Sequence, residues 1–458
     1  MAGAQPLAAR GSLPPAVEAA LARARLPRDA LSVFVADAQD GRVPARLSYR
    51  AQVPVNPASV MKLVTTYAAL DQLGSAYTWS TPVYVDGPVR AGSLKGNVYL
   101  RGQGDPTLVM ERLWLLMRRL QGQGIHVIVG DIVLDRSAFD LVGHDPAQFD
   151  GEPLRPYNAA PDALLLNFKS VVMGFVPDPG AGVAHIQYDP PMAGVQRPDS
   201  VALAASGTGC GDWRGALRAE LSDPLRTTFQ GAYAASCGER SWAVAYADPQ
   251  AFAARAVEGM WRALGGKLTG SVRDGKVPAG LQPAFSVTSP PLAAVVRDVN
   301  KFSNNVMAQH VFLTMALQKN GVATWEGARA VLRQWWLQRF GVEGQPVTDN
   351  GAGLSREARI SAQALGRMLQ AAWQSPVMPE LVASLPVAGI DGTLRRSTSR
   401  AGSAHLKTGS LRDVLAVAGY VHADDGRRYV LVAIVNHAQA AAARPVLDAL
   451  IDWTANTP

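Results

Sequence analysis

The stretch "NPASVMKLVTTYAAL", residues 56–70, decides the reading of this chain, because Ser59 and Lys62 interrupt an otherwise apolar run at its start. Asn56 suits an N-cap, Pro57 suits the first helical position, and Gly74 suits the stop, so the spacing predicts a helix. Positions i and i+3 share a helical face, which puts the Lys62 amine within reach of the Ser59 hydroxyl. A serine hydroxyl is a poor nucleophile until a base takes its proton. A lysine serves as that base when burial or a neighbouring cation lowers its pKa. Taken alone, the pair reads more readily as a helix-start serine beside a snorkelling surface lysine.

Two further short motifs change the balance. The chain holds one S-x-N, Ser303-Asn304-Asn305, in a helical stretch, and one K-T-G, Lys407-Thr408-Gly409, in a strand-like stretch. Each is weak by itself, but together they supply complementary parts. Lys407, brought close, is a cation that would depress Lys62, and the helix start favours a developing alkoxide at Ser59. Ser303 could pass a proton to a leaving group, while Asn305 could hold Lys62 and a substrate carbonyl. Lys407 and Thr408 could take a substrate carboxylate, and Gly409 would let a peptide backbone lie close to the strand.

Other chemistries find less support. No serine has glycine at both −2 and +2, so a nucleophile elbow is absent. His310 and His405 adjoin the motifs but read as packing or surface residues. "RGQGDPTL", with Gly102 and Gly104, lacks a third glycine and any G-K-[ST], and reads as a turn. The 48% hydrophobic and 18% charged content fits a globular chain, and 458 residues exceed one ordinary domain. Only 8 of the 44 basic residues are lysine; the net charge of +7 is spread out, with no basic run interleaved with aromatics, which argues against nucleic-acid binding. No apolar run nears the roughly 18 residues of a membrane span, "VLAVAGYV" and "YVLVAIV" being strand-sized. The opening "MAGAQPLAARGSLPP" lacks the pattern of an export signal, so the chain is either cytoplasmic or a mature form with an added Met.

The texture of the chain suggests a split domain. Helix, strand, turn and strand precede the Ser59 helix; after residue 290 helices return, including "PPLAAVVRDVNKFSNNVMAQHVFLTMALQKNG", and the chain ends strand, strand, helix. Between residues 81 and 280 glycine, proline and aspartate are dense, with many short strands and two clear helices. We expect an α/β catalytic domain, an antiparallel sheet flanked by helices, from residues 1–80 and 281–458. Residues 81–280 would be a mostly β insertion, in one or two small modules. Cys210 and Cys237 lie 27 apart in glycine-flanked turns with no zinc-ligand pattern; they are either two buried thiols or, preferably, one disulfide, which would imply an oxidising compartment.

With these residues in view, the chain resembles the penicillin-binding proteins and serine β-lactamases, which carry the S-x-x-K, S-x-N and K-T-G set. It is most similar to the D-alanyl-D-alanine carboxypeptidase/endopeptidase family, the class C low-molecular-mass penicillin-binding proteins. The stretches "GQGDPTL", "LDRSAFD", "SPPLAAVVRDVNKFSNNVMAQH", "DNGAGLSREARIS", "LPVAGIDGTLRR" and "LKTGSLRDVLAVAGYV" carry that resemblance across nearly the whole chain. It implies a transpeptidase-like domain, an acyl-enzyme on Ser59, Lys62 as base, and Ser303 with Asn305 opposite. Lys407, Thr408 and Ser410 would line a third wall, and the amides of Ser59 and Ser410 would form the oxyanion hole. No cofactor or metal is implied. The implied partners are peptidoglycan stem peptides ending in D-Ala-D-Ala, D-Ala-diaminopimelate cross-links, and β-lactam antibiotics. The implied compartment is the periplasm, with a signal peptide removed; a homo-oligomer is compatible with the family.

Two departures bear on specificity. The family's "DGSGLSR" stands here as Asp349-Asn350-Gly351-Ala352-Gly353-Leu354-Ser355-Arg356, and Arg412 occupies a position that is Gln in some members. The resemblance places Arg356, position 412 and Asp135 near the diaminopimelate side chain. The competing readings are a β-lactamase or esterase on the same fold, which would turn over β-lactams rapidly, and an idle peptidoglycan-binding scaffold, which would have no need of Lys62 and Lys407 together.

Overall fold

The computed structural model describes residues 12–456. Most of the stretch read for an export signal, residues 1–11, lies outside the described residues. The chain divides into two compact units, one built from its two ends, up to Thr78 and from Pro290, the other from Trp79–Ser289.

The first unit is built on strands β1 (Leu31–Asp37), β2 (Leu47–Tyr49), β3 (Ala404–Leu411), β4 (Val414–His422) and β5 (Arg428–Asn436). They form one antiparallel sheet in the order β2-β1-β5-β4-β3, which leaves the K-T-G strand β3 at an edge. Its longer helices are α1 (Pro15–Arg23), α2 (Lys62–Leu73), α3 (Leu292–Phe302), α4 (Asn305–Asn320), α5 (Trp325–Phe340), α6 (Ala362–Trp373) and α7 (Arg444–Ala455). Leu31, Val33 and Val35 of β1 share a core with Val17 and Leu21 of α1 and Val446 and Leu450 of α7. On the opposite face α6 lies so close that a Cβ at Gly366 would sit 2.3 Å from the Phe34 ring. The Tyr420 hydroxyl of β4 donates to the Leu369 carbonyl of α6 at 2.8 Å. Helices on both faces explain why β4 and β5 read as continuous apolar runs without alternation.

The motif-bearing helices differ from the sequence expectation in two places. The stretch around Ser303 is not one helix: α3 ends at Phe302, Ser303 takes left-handed angles (φ 58°, ψ 34°), and α4 starts at Asn305. The Asn304 side chain caps α4 by accepting from the Met307 amide at 3.0 Å. Serine and asparagine compete for backbone groups in this way, and that competition breaks the helix. Likewise Ser59 lies in a 3-10 turn, Ala58–Met61, and the α-helix begins only at Lys62. Asn56 accepts from the Ala58 amide, and it exchanges two 2.9 Å bonds with the Asn436 side chain, which pins the chain at the end of β5.

The inserted unit has two larger hydrophobic cores and a small third cluster of Tyr84, Tyr99 and Val133. One covers a five-stranded mixed sheet, ordered Val272–Asp274, Ile132–Asp135, Asn97–Arg101, Ser80–Asp86, Pro283–Thr288, with helices Met110–Gly122 and Phe252–Ala263. The other lies against a four-stranded antiparallel sheet, where Phe175 stacks on Tyr233 at 5.5 Å and Cys210 is disulfide-bonded to Cys237. The boundary expected at residue 281 moves to 290, because Pro283–Thr288 pairs with Ser80–Asp86 and so belongs to the insertion.

Candidate active site

The three motifs meet in the first unit. Gly409 makes the approach of β3 to the Ser59 turn possible, since a Cβ there would lie 2.6 Å from the Pro57 carbonyl oxygen. The Lys62 amine, fully buried, reaches the Ser59 hydroxyl at 3.0 Å, the Asn305 Oδ1 at 2.6 Å and the Ala352 carbonyl at 2.6 Å. Burial, and after it the charge of Lys407, pushes its pKa well below the ordinary lysine value. A free amine beside a serine hydroxyl is what a general base requires.

Lys407 is also fully buried; its amine donates to Ser303 Oγ and to the Thr408 carbonyl, both at 2.8 Å. Burial brings its pKa down to about 7. Two serines thus each face a lysine, Ser59 with Lys62 and Ser303 with Lys407. Both stand at strained backbone: Ala58, just before Ser59, has φ 49°, and Ser303 has φ 58°. A non-glycine residue held there costs on the order of 1–2 kcal/mol, which the surrounding packing must offset.

The edge position of β3 gives the last element. The Leu406 amide bonds Pro386 and the Ala404 carbonyl accepts from Ala388, so these backbone groups point away from β4. With the two-residue period of a strand, those of Thr408 and Ser410 point the same way. The Ser410 amide is thereby aimed outward at the free edge, as an oxyanion donor requires.

Sequence reasoning missed three contributors. The Ala352 carbonyl belongs to a loop that Thr65 holds through Gly351 (2.7 Å) and Asn56 holds through Ser355 (2.9 Å). Gly353 lets this loop pass, since a Cβ there would lie 2.0 Å from the Ala58 carbonyl. The glycines of "DNGAGLSR" marked a special loop, yet a backbone carbonyl has no signature in sequence. Thr393, the third, accepts from the Thr408 hydroxyl at 2.7 Å.

The residues assigned to side-chain recognition lie on three separate segments. Arg356 is exposed at the end of the Ala352 loop, and Arg412 is exposed in the turn between β3 and β4. Asp135 belongs to the inserted unit, at a strand end, 3% exposed. Its carboxylate accepts from the Ser137 and Val277 amides, both at 3.0 Å. Burial works against its charge, but the bonds at Ser137 and Val277 hold it below the usual carboxylate range.

An antiparallel sheet with helices on both faces, carrying a Ser–Lys pair, an S-x-N turn and an edge K-T-G strand, defines the penicillin-binding-protein class. The solved structure of penicillin binding protein 4 from Haemophilus influenzae shares the fold, with a TM-score of 0.75 and 22% identity over 96% of this chain and 99% of that one. Residues 13–457 match the D-Ala-D-Ala carboxypeptidase 3 (S13) family, and the chain belongs to it. Among relatives, a D-alanyl-D-alanine carboxypeptidase of Actinomadura sp. is 31% identical over 408 residues, 83% of this chain and 73% of that protein. The D-alanyl-D-alanine carboxypeptidase DacB of Haemophilus influenzae is 26% identical over 392 residues, 83% of this chain and 80% of that protein.

Proposed function

We propose that this protein is a serine DD-peptidase that removes the terminal D-Ala of peptidoglycan stem peptides, cleaves D-Ala-diaminopimelate cross-links, and is acylated by penicillins. The observation that carries this reading is the fully buried, pKa-lowered Lys62 amine 3.0 Å from Ser59 Oγ. In acylation Lys62 takes the Ser59 proton as Oγ bonds to the penultimate D-Ala carbonyl carbon. The amides of Ser59 and Ser410 hold the oxyanion. The scissile C–N bond then breaks, and the leaving amine receives its proton through Ser303, which Lys407 orients. Water next attacks the ester carbonyl, its proton returns to Ser59 Oγ by way of Lys62, and the C–O bond breaks. Lys407, Thr408 and Gly409 take the carboxylate and backbone of the residue that leaves. Arg356 and Arg412 are the exposed groups offered to the substrate side chain. Asp135, whose carboxylate accepts from the Ser137 and Val277 amides, is the acidic group offered to that side chain.

This substrate places the protein in the periplasm or cell wall, where the Cys210–Cys237 bond would persist. Among the described residues, no helix is long and apolar enough to cross a membrane. The test is intact-protein mass spectrometry after brief exposure to a penicillin, beside Ser59→Ala. One lasting adduct on Ser59, absent in the variant, together with D-Ala release from a stem peptide, is expected. Rapid consumption of the drug without an adduct would instead mean a β-lactamase, and an intact drug without an adduct would mean an idle scaffold.

A further inference from the structure

Beside the K-T-G strand lies an open cleft of about 650 Å³ lined by Gly392, Thr393, Arg395, Arg396 and Arg444. The three arginines are exposed, and among the described residues none of them forms an ion pair with an acidic side chain. The carboxylates nearest in sequence are engaged elsewhere. Asp391 pairs with Lys301 at 2.6 Å. Asp448 is one helical turn from Arg444, yet it accepts from the hydroxyls of Ser397, Thr398 and Ser399 at 2.9, 2.8 and 3.1 Å. Three arginines lining one cleft without an ion-pair partner suit a planar anion, which arginine binds through paired N–H donors.

The bond from the Thr408 hydroxyl to Thr393 Oγ1, at 2.7 Å, joins the cleft to the active site. On the reading above, Thr408 takes the carboxylate of the residue that leaves, and Thr393 is the next group outward. Whatever reaches the arginines is therefore attached to the leaving group, not to the acyl donor. A single D-Ala ends at Thr408 and does not extend into this space.

We propose that the Arg395–Arg396–Arg444 cleft binds a second carboxylate carried by an extended leaving peptide, so that cross-linked stems with an acidic leaving strand are favoured over single D-Ala release. The inference rests on the DD-peptidase reading and deepens it.

The test uses three synthetic peptides with one common acyl donor. Their leaving groups are a single D-Ala, a diamino-acid peptide with an additional free carboxylate, and the same peptide with that carboxylate amidated. The wild type should cleave the carboxylate peptide about 10- to 100-fold better, by kcat/KM, than its amide, the range of one charge-assisted contact. Replacing all three arginines with alanine should abolish that preference, while D-Ala release and penicillin acylation of Ser59 stay within about twofold. Lysine at all three positions should restore part of it, which a merely structural role would not produce. Equal cleavage of acid and amide by the wild type, or an equal loss on all three peptides in the alanine variant, would overturn the proposal. Failure of penicillin to acylate the wild type would instead overturn the DD-peptidase reading, and the cleft's role with it.

Discussion

Asn305→Asp should silence Ser59 with almost no change of shape. The Asn305 Oδ1 lies 2.6 Å from the Lys62 amine, and the substitution would put a negative charge at that point. At an effective dielectric near 20, a pair at this distance attracts by about 6 kcal/mol. That attraction favours the charged amine and raises the Lys62 pKa. Desolvation of the new carboxylate offsets part of this, and the net effect moves the amine back toward its ordinary, charged state. At pH 7 the free base then becomes scarce, and acylation should fall by about 10²–10³-fold. The deficit should shrink about tenfold for each pH unit between 7 and 9, because the remaining free amine rises at that rate. Asn305→Ala removes the acceptor without adding charge, so its loss should stay near tenfold and should not vary steeply with pH. The assay is the rate of penicillin adduct formation by mass spectrometry at several pH values, with thermal melting to confirm folding. An Asn305→Asp variant that acylates within about threefold of wild type at pH 7 would refute Lys62 as the base.

Three further outcomes follow from the same geometry. Lys407 titrates at about 7 in the folded protein, against an ordinary lysine value of 10.5, so between these values the unfolded chain binds the extra proton. Stability should therefore rise with pH from about 7 toward 10, by up to ~1.4 kcal/mol per unit, and Lys407→Met should reduce the slope of thermal midpoint against pH. Gly353→Ala would place a Cβ 2.0 Å from the Ala58 carbonyl at a φ of 72°, moving the Ala352 loop off Lys62. It should slow acylation by more than tenfold and destabilise the protein by about 1–3 kcal/mol, read by adduct kinetics and melting. Cys210→Ser with Cys237→Ser opens a link of sequence separation 27, which chain entropy values at about 3.5 kcal/mol. Melting of the inserted unit should fall accordingly, while Ser59 acylation persists, since its partners all belong to the other unit.

The sequence by itself determined the parts of this protein whose cause is local. Apolar runs such as those of β4 and β5 read as strands because both faces are buried, and Gly74 ends α2 at a positive φ (82°) that favours glycine. The order of Ser59-x-x-Lys62, Ser303-x-Asn305 and Lys407-Thr408-Gly409 pointed to the chemistry proposed above, since a serine with a lysine base needs a second cation and an anion-binding strand. Only the tertiary structure decided what depends on distant chain segments. Strand Pro283–Thr288 belongs to the insertion because its partner, Ser80–Asp86, lies some 200 residues earlier. Ser303 leaves the helix, and Ser59 stands on a 3-10 turn, because packing and side-chain caps outweigh weak helical propensity. The third partner of Lys62 is the Ala352 carbonyl, and the neighbour of Thr408 is Thr393. Neither could be read in advance: a backbone oxygen is the same in every residue, and only folding chooses which one meets a buried amine.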